Sequence, residues 1–309
     1  MGADGPLLGI DVGGTKTAAG VVGADGGLRS YVREPTPRAA AGEDLFAAVL
    51  ALAERAAAEA ATPPVAAGVG CGGPMRFPDG VVSPLHIAAW RGFPLRARLE
   101  RALGLPVVVD NDAKAFALGQ ARFGAGRGAR CLLGMVVSTG VGGGVVEDGR
   151  LRHGATGNAG HVGHVVVSPR GPRCECGARG CVTAYASGPG LAARARAALG
   201  RDVTAAEVAA AAAAGDPLAR SLLREAGVAL ARGIAAAANV LDLDRVVIGG
   251  GVSRAGAVLF DPLRAALPRW TRLDFLAGLE VMPVERPDEA GVLGAAALAG
   301  DQVGRRHAR

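Results

Sequence analysis

Hydrophobic and polar positions follow two rhythms along the chain. The first thirty residues set short apolar runs between glycine turns. Residues 7–12 read as a strand, Gly13-Gly14-Thr15-Lys16 as a turn, and residues 17–22 as a second strand. Asp25-Gly26-Gly27 is a hairpin signal that leads into a third strand over 28–33. Buried strands are predicted where apolar residues run on without charge, at 65–70, 106–109, 131–137, 142–147 and 245–248. The slower rhythm predicts helices over 43–61 (ended by Pro63-Pro64), 94–103, 112–123, 189–199, 204–213, 217–241 and 289–299. The stretch 168–181 is dense in Gly, Pro and Cys, so regular structure is not expected there.

Strands alternate with helices, but the chain opens on antiparallel hairpins. The fold class is therefore α/β with mixed sheets. No flexible linker marks a boundary. The expected layout is two lobes with a ligand cleft between them. The smaller spans about 1–115, with the last helix (about 290–309) packing back on it. The larger spans 116–289 and holds the loop 164–181.

Composition narrows the class. The 309 residues are 50% hydrophobic and 20% charged, which excludes a disordered or collagen-like chain. The 49 glycines cluster, which points to loops where backbone approaches a ligand. The net charge of +6 comes mostly from scattered arginine and reads as a solvated basic surface rather than a nucleic-acid face. No run reaches the ~18 apolar residues of a membrane span, and no signal peptide is evident. A cytoplasmic protein is expected. Of five cysteines, Cys174, Cys176 and Cys181 lie within eight residues and read as a metal cluster, whereas Cys71 and Cys131 read as small buried side chains.

Four motifs carry candidate chemistry. Asp11 ends a strand and Gly13-Gly14-Thr15-Lys16 follows, a turn that offers backbone N–H groups to phosphate oxygens or simply closes a hairpin. A second strand follows it, so it is neither a Walker loop nor a dinucleotide fingerprint. Ser138-Thr139-Gly140, with Gly142-Gly143-Gly144 beyond, joins two strands in the same way. Two such hairpins in two halves of one chain suggest a duplicated design gripping a polyphosphate. Asp110-Asn111-Asp112 passes from a buried strand to a helix start, where a carboxylate serves as a cap or as a base. Gly249-Gly250-Gly251 follows another strand.

The pair of hairpins resembles the phosphate loops of the actin-like ATPase and sugar kinase superfamily. The stretch from Gly154 to Cys181, in which His164 is followed by nine residues and then Cys174-Glu-Cys176-Gly-Ala-Arg-Gly-Cys181, resembles the ROK family (repressors, open reading frames and sugar kinases). The resemblance implies a two-lobed, ribonuclease H-like sugar kinase fold. It implies ATP held by Asp11, Gly13, Gly14, Thr15, Lys16, Ser138, Thr139 and Gly140, with Gly249, Gly250 and Gly251 at the adenosine and Mg²⁺ on the phosphates. It places Asn111 on the sugar and makes Asp112 the general base, with Asp110, where many relatives carry Glu, as a support. Gly73, in Cys71-Gly72-Gly73-Pro74, matches the sugar-edge turn. His164, Cys174, Cys176 and Cys181 make a closed Cys₃His set suited to structural Zn²⁺, with the second nitrogen of His164 turned to the sugar.

Two positions depart from that family's pattern. His161 stands where hexokinases of the family carry Glu, and Thr183 stands where a second Glu is usual. Both are sugar-facing carboxylates in the pattern, so the substrate is what they bear on. A neutral imidazole offers one donor and one acceptor, a carboxylate only acceptors. The expected activity is an ATP-dependent phosphoryl transfer to the 6-hydroxyl of a hexose, glucose by default. N-acetylmannosamine or another amino or N-acyl hexose is the alternative, because His161 also occurs in such kinases. A sugar-responsive regulator is disfavoured, since the phosphate turn begins at Asp11 and leaves no room for a helix-turn-helix domain. An idle sugar-binding protein is disfavoured by Asp112 and both loops. The donor, ATP or polyphosphate, stays open. The expected partners are a sugar, a nucleotide and further copies of the chain (a homodimer or homotetramer), with neither nucleic acid nor membrane.

Overall fold

The computed structural model describes residues 5–37 and 41–307. Contacts divide the chain into two units, Met1–Arg127 with Gly149–Ala159 and Arg286–Arg309, and Gly128–Asp148 with Gly160–Glu285.

The first unit is built on β1 (Leu7–Val12), β2 (Lys16–Val22), β3 (Val32–Pro35), β4 (Ala66–Cys71) and β7 (Val107–Asn111), in the order β3-β2-β1-β4-β7. A separate hairpin joins β5 (Met75–Arg76) to β6 (Val81–Val82), and the segment 149–159 contains the short β10 (Arg150–Leu151). β1 runs antiparallel to β2 but parallel to β4, which runs parallel to β7. The register Asp11↔Gly70↔Asp110 therefore brings three strand ends, and both carboxylates, to one edge of the sheet.

Strand alternation decides what covers each face. Leu8, Ile10 and Val12 share a core with Leu45, Phe46 and Val49 of α1 (Gly42–Ala58). Leu7 and Ala66, on the opposite face, pack on Val292 and Leu293 of α9 (Ala290–His307). There the helix backbone touches the sheet. A Cβ on Gly68 would overlap the Ala295 carbonyl, so only glycine admits α9 at this height. α3 (Asp112–Phe123) lies against α9, and α2 (Leu95–Leu103) leads into β7.

The second unit sets β9 (Val141–Glu147), β8 (Cys131–Val137), β11 (Arg245–Gly249) and β12 (Glu280–Pro283) side by side in that order. Again the hairpin pair β8–β9 is antiparallel and β8–β11 and β11–β12 are parallel. Helices α4 (Val182–Ala186), α5 (Gly188–Leu199), α6 (Ala205–Ala213), α7 (Pro217–Leu241) and α8 (Ala257–Ala266) bury one continuous core with this sheet. Their starts are capped as the sequence dictates: Thr204 and Glu207 form a capping box, and Asp216 accepts from the Ala219 N–H at 2.7 Å.

The mixed α/β class holds. The third strand does not fall at 28–33. It begins at Val32, because the Ser30 hydroxyl accepts from the Val21 N–H at 3.1 Å and so takes the place of a ladder bond. Several elements have no signal in the pattern, among them α8, which carries Pro262 in its interior, and β12, which spans four residues ending in a proline. Among the described residues, no helix is long and apolar enough to cross a membrane.

Candidate functional site

In the first unit, the parallel strand ends gather Asp11, Cys71, Asp110, Asn111 and Asp112. Asn111 caps α3, its Oδ1 accepting from the Ala113 N–H at 3.0 Å, while Asp112 Oδ1 accepts from the same N–H at 2.9 Å. A Cβ on Gly73, which precedes a cis peptide bond to Pro74, would lie 3.7 Å from Asn111 Nδ2. The sugar-edge turn and the sugar-binding Asn of the sequence reading are thus neighbours.

The turn 13–16 is held by its own hydrogen bonds. Gly13 N–H donates to the Lys16 carbonyl at 3.0 Å, and the Thr36 hydroxyl donates to the Gly13 carbonyl at 2.7 Å. Gly14, Thr15 and Lys16 remain exposed. Asp11 faces the first turn of α9, where the missing side chain of Gly291 lets its carboxylate approach the backbone.

Burial, followed by the charge of Asp112, pushes the Asp11 carboxyl up to about 7, with Lys16 opposing. Burial likewise raises the Asp112 carboxyl above the ordinary aspartate range, against the backbone hydrogen bonds that favour its ionised form. Two carboxylates are therefore crowded at one strand edge, which is donor chemistry suited to a divalent cation on a phosphate ligand. The Cys71 thiol, buried beneath them, is pushed far up and stays protonated.

Asp110 is buried and does not point to an open edge. It binds Lys114 through both carboxylate oxygens, at 2.7 and 2.8 Å, and accepts from the Asn111 N–H at 2.7 Å. The support role expected of it thus has a partner that sequence reasoning missed. The i,i+4 spacing of Asp110 and Lys114 was the available signal. His86 was also missed. A Cβ on Gly14 would lie 3.0 Å from its Cβ, and its charge acts on Asp112.

In the second unit, the parallel pair β8–β11 brings the other two glycine loops together. Ser138 N–H donates to the Gly140 carbonyl at 2.8 Å, and a Cβ on Gly251 would lie 3.8 Å from Ser138 Oγ. Gly250 has φ +94° and sits against the Val137 backbone, a position no larger residue fits. Thr139 and Gly140 lie at the turn between β8 and β9.

The donor atoms of His164, Cys174, Cys176 and Cys181 all lie within 4.8 Å of one another. His164 Nδ1 is 3.8 Å from Cys174 Sγ, and Cys176 Sγ is 3.7 Å from Cys181 Sγ. A tetrahedron with Zn–S bonds of ~2.3 Å has edges of about 3.8 Å, so the residues fit a Zn²⁺ ion. With Nδ1 turned to the cluster, Nε2 is the nitrogen left for other partners. The rings of His161 and His164 are 6.3 Å apart and tilted by 22°. Thr183 is buried and its hydroxyl donates to the Gly163 carbonyl at 2.9 Å. It braces the turn that carries both histidines.

A family model described as the ROK family matches residues 7–302. A glucokinase from Thermotoga maritima is 34% identical over 96% of this chain and 98% of its own length. An N-acetylmannosamine kinase from Escherichia coli O127:H6 is 37% identical over 94% of this chain and 97% of its own. The crystal structure of a ROK family glucokinase from Streptomyces griseus, in complex with glucose and AMPPNP, superposes with a TM-score of 0.82. It is 34% identical and covers 96% of this chain and 99% of that one.

Proposed function

The chain belongs to the ROK family, and from that premise we propose that it phosphorylates the 6-hydroxyl of a hexose with ATP, glucose being the default substrate. It is a sugar kinase, a phosphotransferase with an alcohol group as acceptor. The observation that carries the reading is the Asn111-Asp112 step at the start of α3, on the same sheet edge as Asp11.

Asp112 takes the proton of the attacking hydroxyl. Burial raises its pKa above the ordinary aspartate range, which makes its carboxylate a stronger base than an ordinary aspartate. Asn111 and the Gly73 turn orient the sugar. The exposed N–H groups of Gly14 and Thr15 and the side chain of Lys16 meet phosphate oxygens, as do Ser138, Thr139 and Gly140. Gly249, Gly250 and Gly251 flank the adenosine. ATP would supply the phosphoryl group, and a Mg²⁺ ion, for which Asp11 is suited, would neutralise its charge. His164, Cys174, Cys176 and Cys181 would hold a structural Zn²⁺ that orders the loop, leaving His164 Nε2 for a sugar hydroxyl. We also assign the chain to a homodimer or homotetramer, which sedimentation of the purified protein reads directly.

A second substrate reading rests on His161 and Thr183. Thr183 is spent on Gly163 and does not replace a sugar-facing carboxylate, so the acceptor-only chemistry suited to free hydroxyls is reduced here. That favours an N-acyl hexose such as N-acetylmannosamine. A coupled assay over glucose, mannose, N-acetylglucosamine and N-acetylmannosamine, with ATP and with polyphosphate, decides between them. Turnover of glucose with ATP is the expected result. Sugar binding without turnover on any of the four would overturn the kinase reading.

A further inference from the structure

The buried pair Asp110–Lys114 is larger than a strand-end support needs. Both side chains are only 1% exposed. A buried ion pair is costly unless each member's remaining hydrogen bonds are met, and here they are met by a third segment. Lys114 Nζ lies 3.1 Å from His153 Nδ1 and donates to the Gly157 carbonyl at 3.0 Å. With the two Asp110 oxygens, these partners place four acceptors around three ammonium protons, so every proton is met and the two Asp110 oxygens can share one. The Phe77 ring closes the cluster, its centroid 4.9 Å from Nζ and 4.3 Å from the stacked His153 ring. Because the ammonium is the donor, His153 Nδ1 is the acceptor, and its proton sits on Nε2.

The other end of the cluster is the catalytic turn. Asp110 Oδ1 holds the Asn111 N–H, and Asn111 Oδ1 holds the first turn of α3, whose first residue is Asp112. A change at His153 is thus three hydrogen bonds from the base. His153 itself is the one titratable member that reaches solvent, with 26% of its side chain exposed.

We infer that His153 is a positioning residue of the phosphoryl transfer, acting through the Lys114–Asp110 pair to fix the direction of Asn111 and Asp112. This rests on Asp112 being the base. The cluster touches neither sugar nor nucleotide, but it aims the sugar-orienting Asn111 together with Asp112, so kcat falls most, the sugar KM follows, and the KM for ATP is left alone. A displacement of a reacting group by about 1 Å costs up to about 100-fold in rate. Removing the acceptor from His153 takes away one of the four contacts that fix the direction of the ammonium group and lets the pair tilt.

The test compares His153→Leu with His153→Asn in the full-length enzyme. Asn places an amide oxygen near the position of Nδ1, and Leu fills the space without an acceptor. His153→Leu is expected to lower kcat by about 10- to 100-fold, with KM for ATP within about twofold. His153→Asn is expected to recover most of that kcat. Thermal unfolding of both variants separates positioning from folding. Unchanged kcat in His153→Leu overturns the inference, as does an equal loss in both variants that follows their unfolding temperatures. Asp112→Asn run alongside keeps the two claims apart. Full activity in that variant removes the base, whereas activity lost there and kept in His153→Leu sinks only the positioning role.

Discussion

The two sheets are built on one plan and finished differently. Each begins with an antiparallel hairpin, β1–β2 or β8–β9, and each adds parallel strands beside its first strand. In the first unit the parallel strand ends carry Asp11 and Asp110-Asn111-Asp112. In the second they carry Val137-Ser138 and Gly249-Gly250-Gly251, with no carboxylate among them. The frame supplies positions, and the residues just past the strand ends decide whether those positions hold charge or only hydrogen-bond donors. The second unit adds a His and three Cys on an irregular loop where the first has none. The lesson is a division of side chains. The carboxylates stand at the strand ends of the first unit, and the His and Cys donors stand on a loop of the second.

Variants of the two units should therefore fail in different ways. Asp112→Asn is expected to lower turnover by roughly 10²–10⁴-fold with ATP and sugar affinity retained. Steady-state kinetics with isothermal titration of both ligands measures this, and wild-type turnover would break the division at its centre. Cys176→Ser, in the second unit, should lose about one Zn²⁺ per chain, lower the unfolding temperature and weaken sugar binding together. Metal analysis of the purified wild type and variant checks it. Metal-free protein with full activity would show that the loop needs no ion.

Smaller effects sharpen the same contrast. His161→Glu should move kcat/KM toward glucose and away from N-acyl hexoses by about 1–3 kcal/mol, the cost of one mismatched buried hydrogen bond. An unchanged ranking over the four sugars would remove His161 from specificity. The smallest effect is a displaced acid limb. Asp11 is pushed up to about 7, so it loses its charge as pH falls through about 7 rather than in the ordinary aspartate range, and burial shifts Asp112 in the same direction. Activity should drop by about tenfold per pH unit at most below that point. The stability sign is opposite. A carboxyl raised in the folded state favours folding while protonated, and that contribution is lost as pH rises through about 7. Asp11→Asn should accordingly raise the unfolding temperature clearly more at pH 8 than at pH 5, where only part of that cost has appeared. Equal shifts at both values would argue against a raised Asp11.

Much of the fold was legible because its strands are apolar runs cut by glycine and its helices are capped by residues that signal their starts, such as Thr204 and Asp216. The shift of β3 was not legible, since nothing in the order of residues says that Ser30 will bond Val21 instead of joining the ladder. α8 hid behind Pro262, a helix breaker by local rules that is tolerated here against Gly227 of α7. In the candidate site, motifs confined to a few consecutive residues were visible, among them Asp11 to Lys16, Asn111-Asp112 and the cysteine cluster. What stayed hidden depends on distant segments meeting. Lys114 looked like an ordinary helix residue until His153, Gly157 and Phe77 closed around it. Thr183 looked like a substitute for a sugar ligand until the Gly163 carbonyl claimed its hydroxyl.

The helix that seals one face of the first sheet is translated after the whole second unit. β1, β4 and α3 pack on α9, yet the roughly 160 residues from Gly128 to Glu289 must emerge between them. At ~5–20 residues per second this is a wait of roughly 8–30 s, during which Leu7, Gly9, Ala66 and Gly68 face water or a chaperone. The second unit has all its strands by then and is free to fold first. Nascent chains halted before Ala290 should therefore protect the second unit from protease while leaving the first open, so that the order of assembly on the ribosome runs against the order of the sequence.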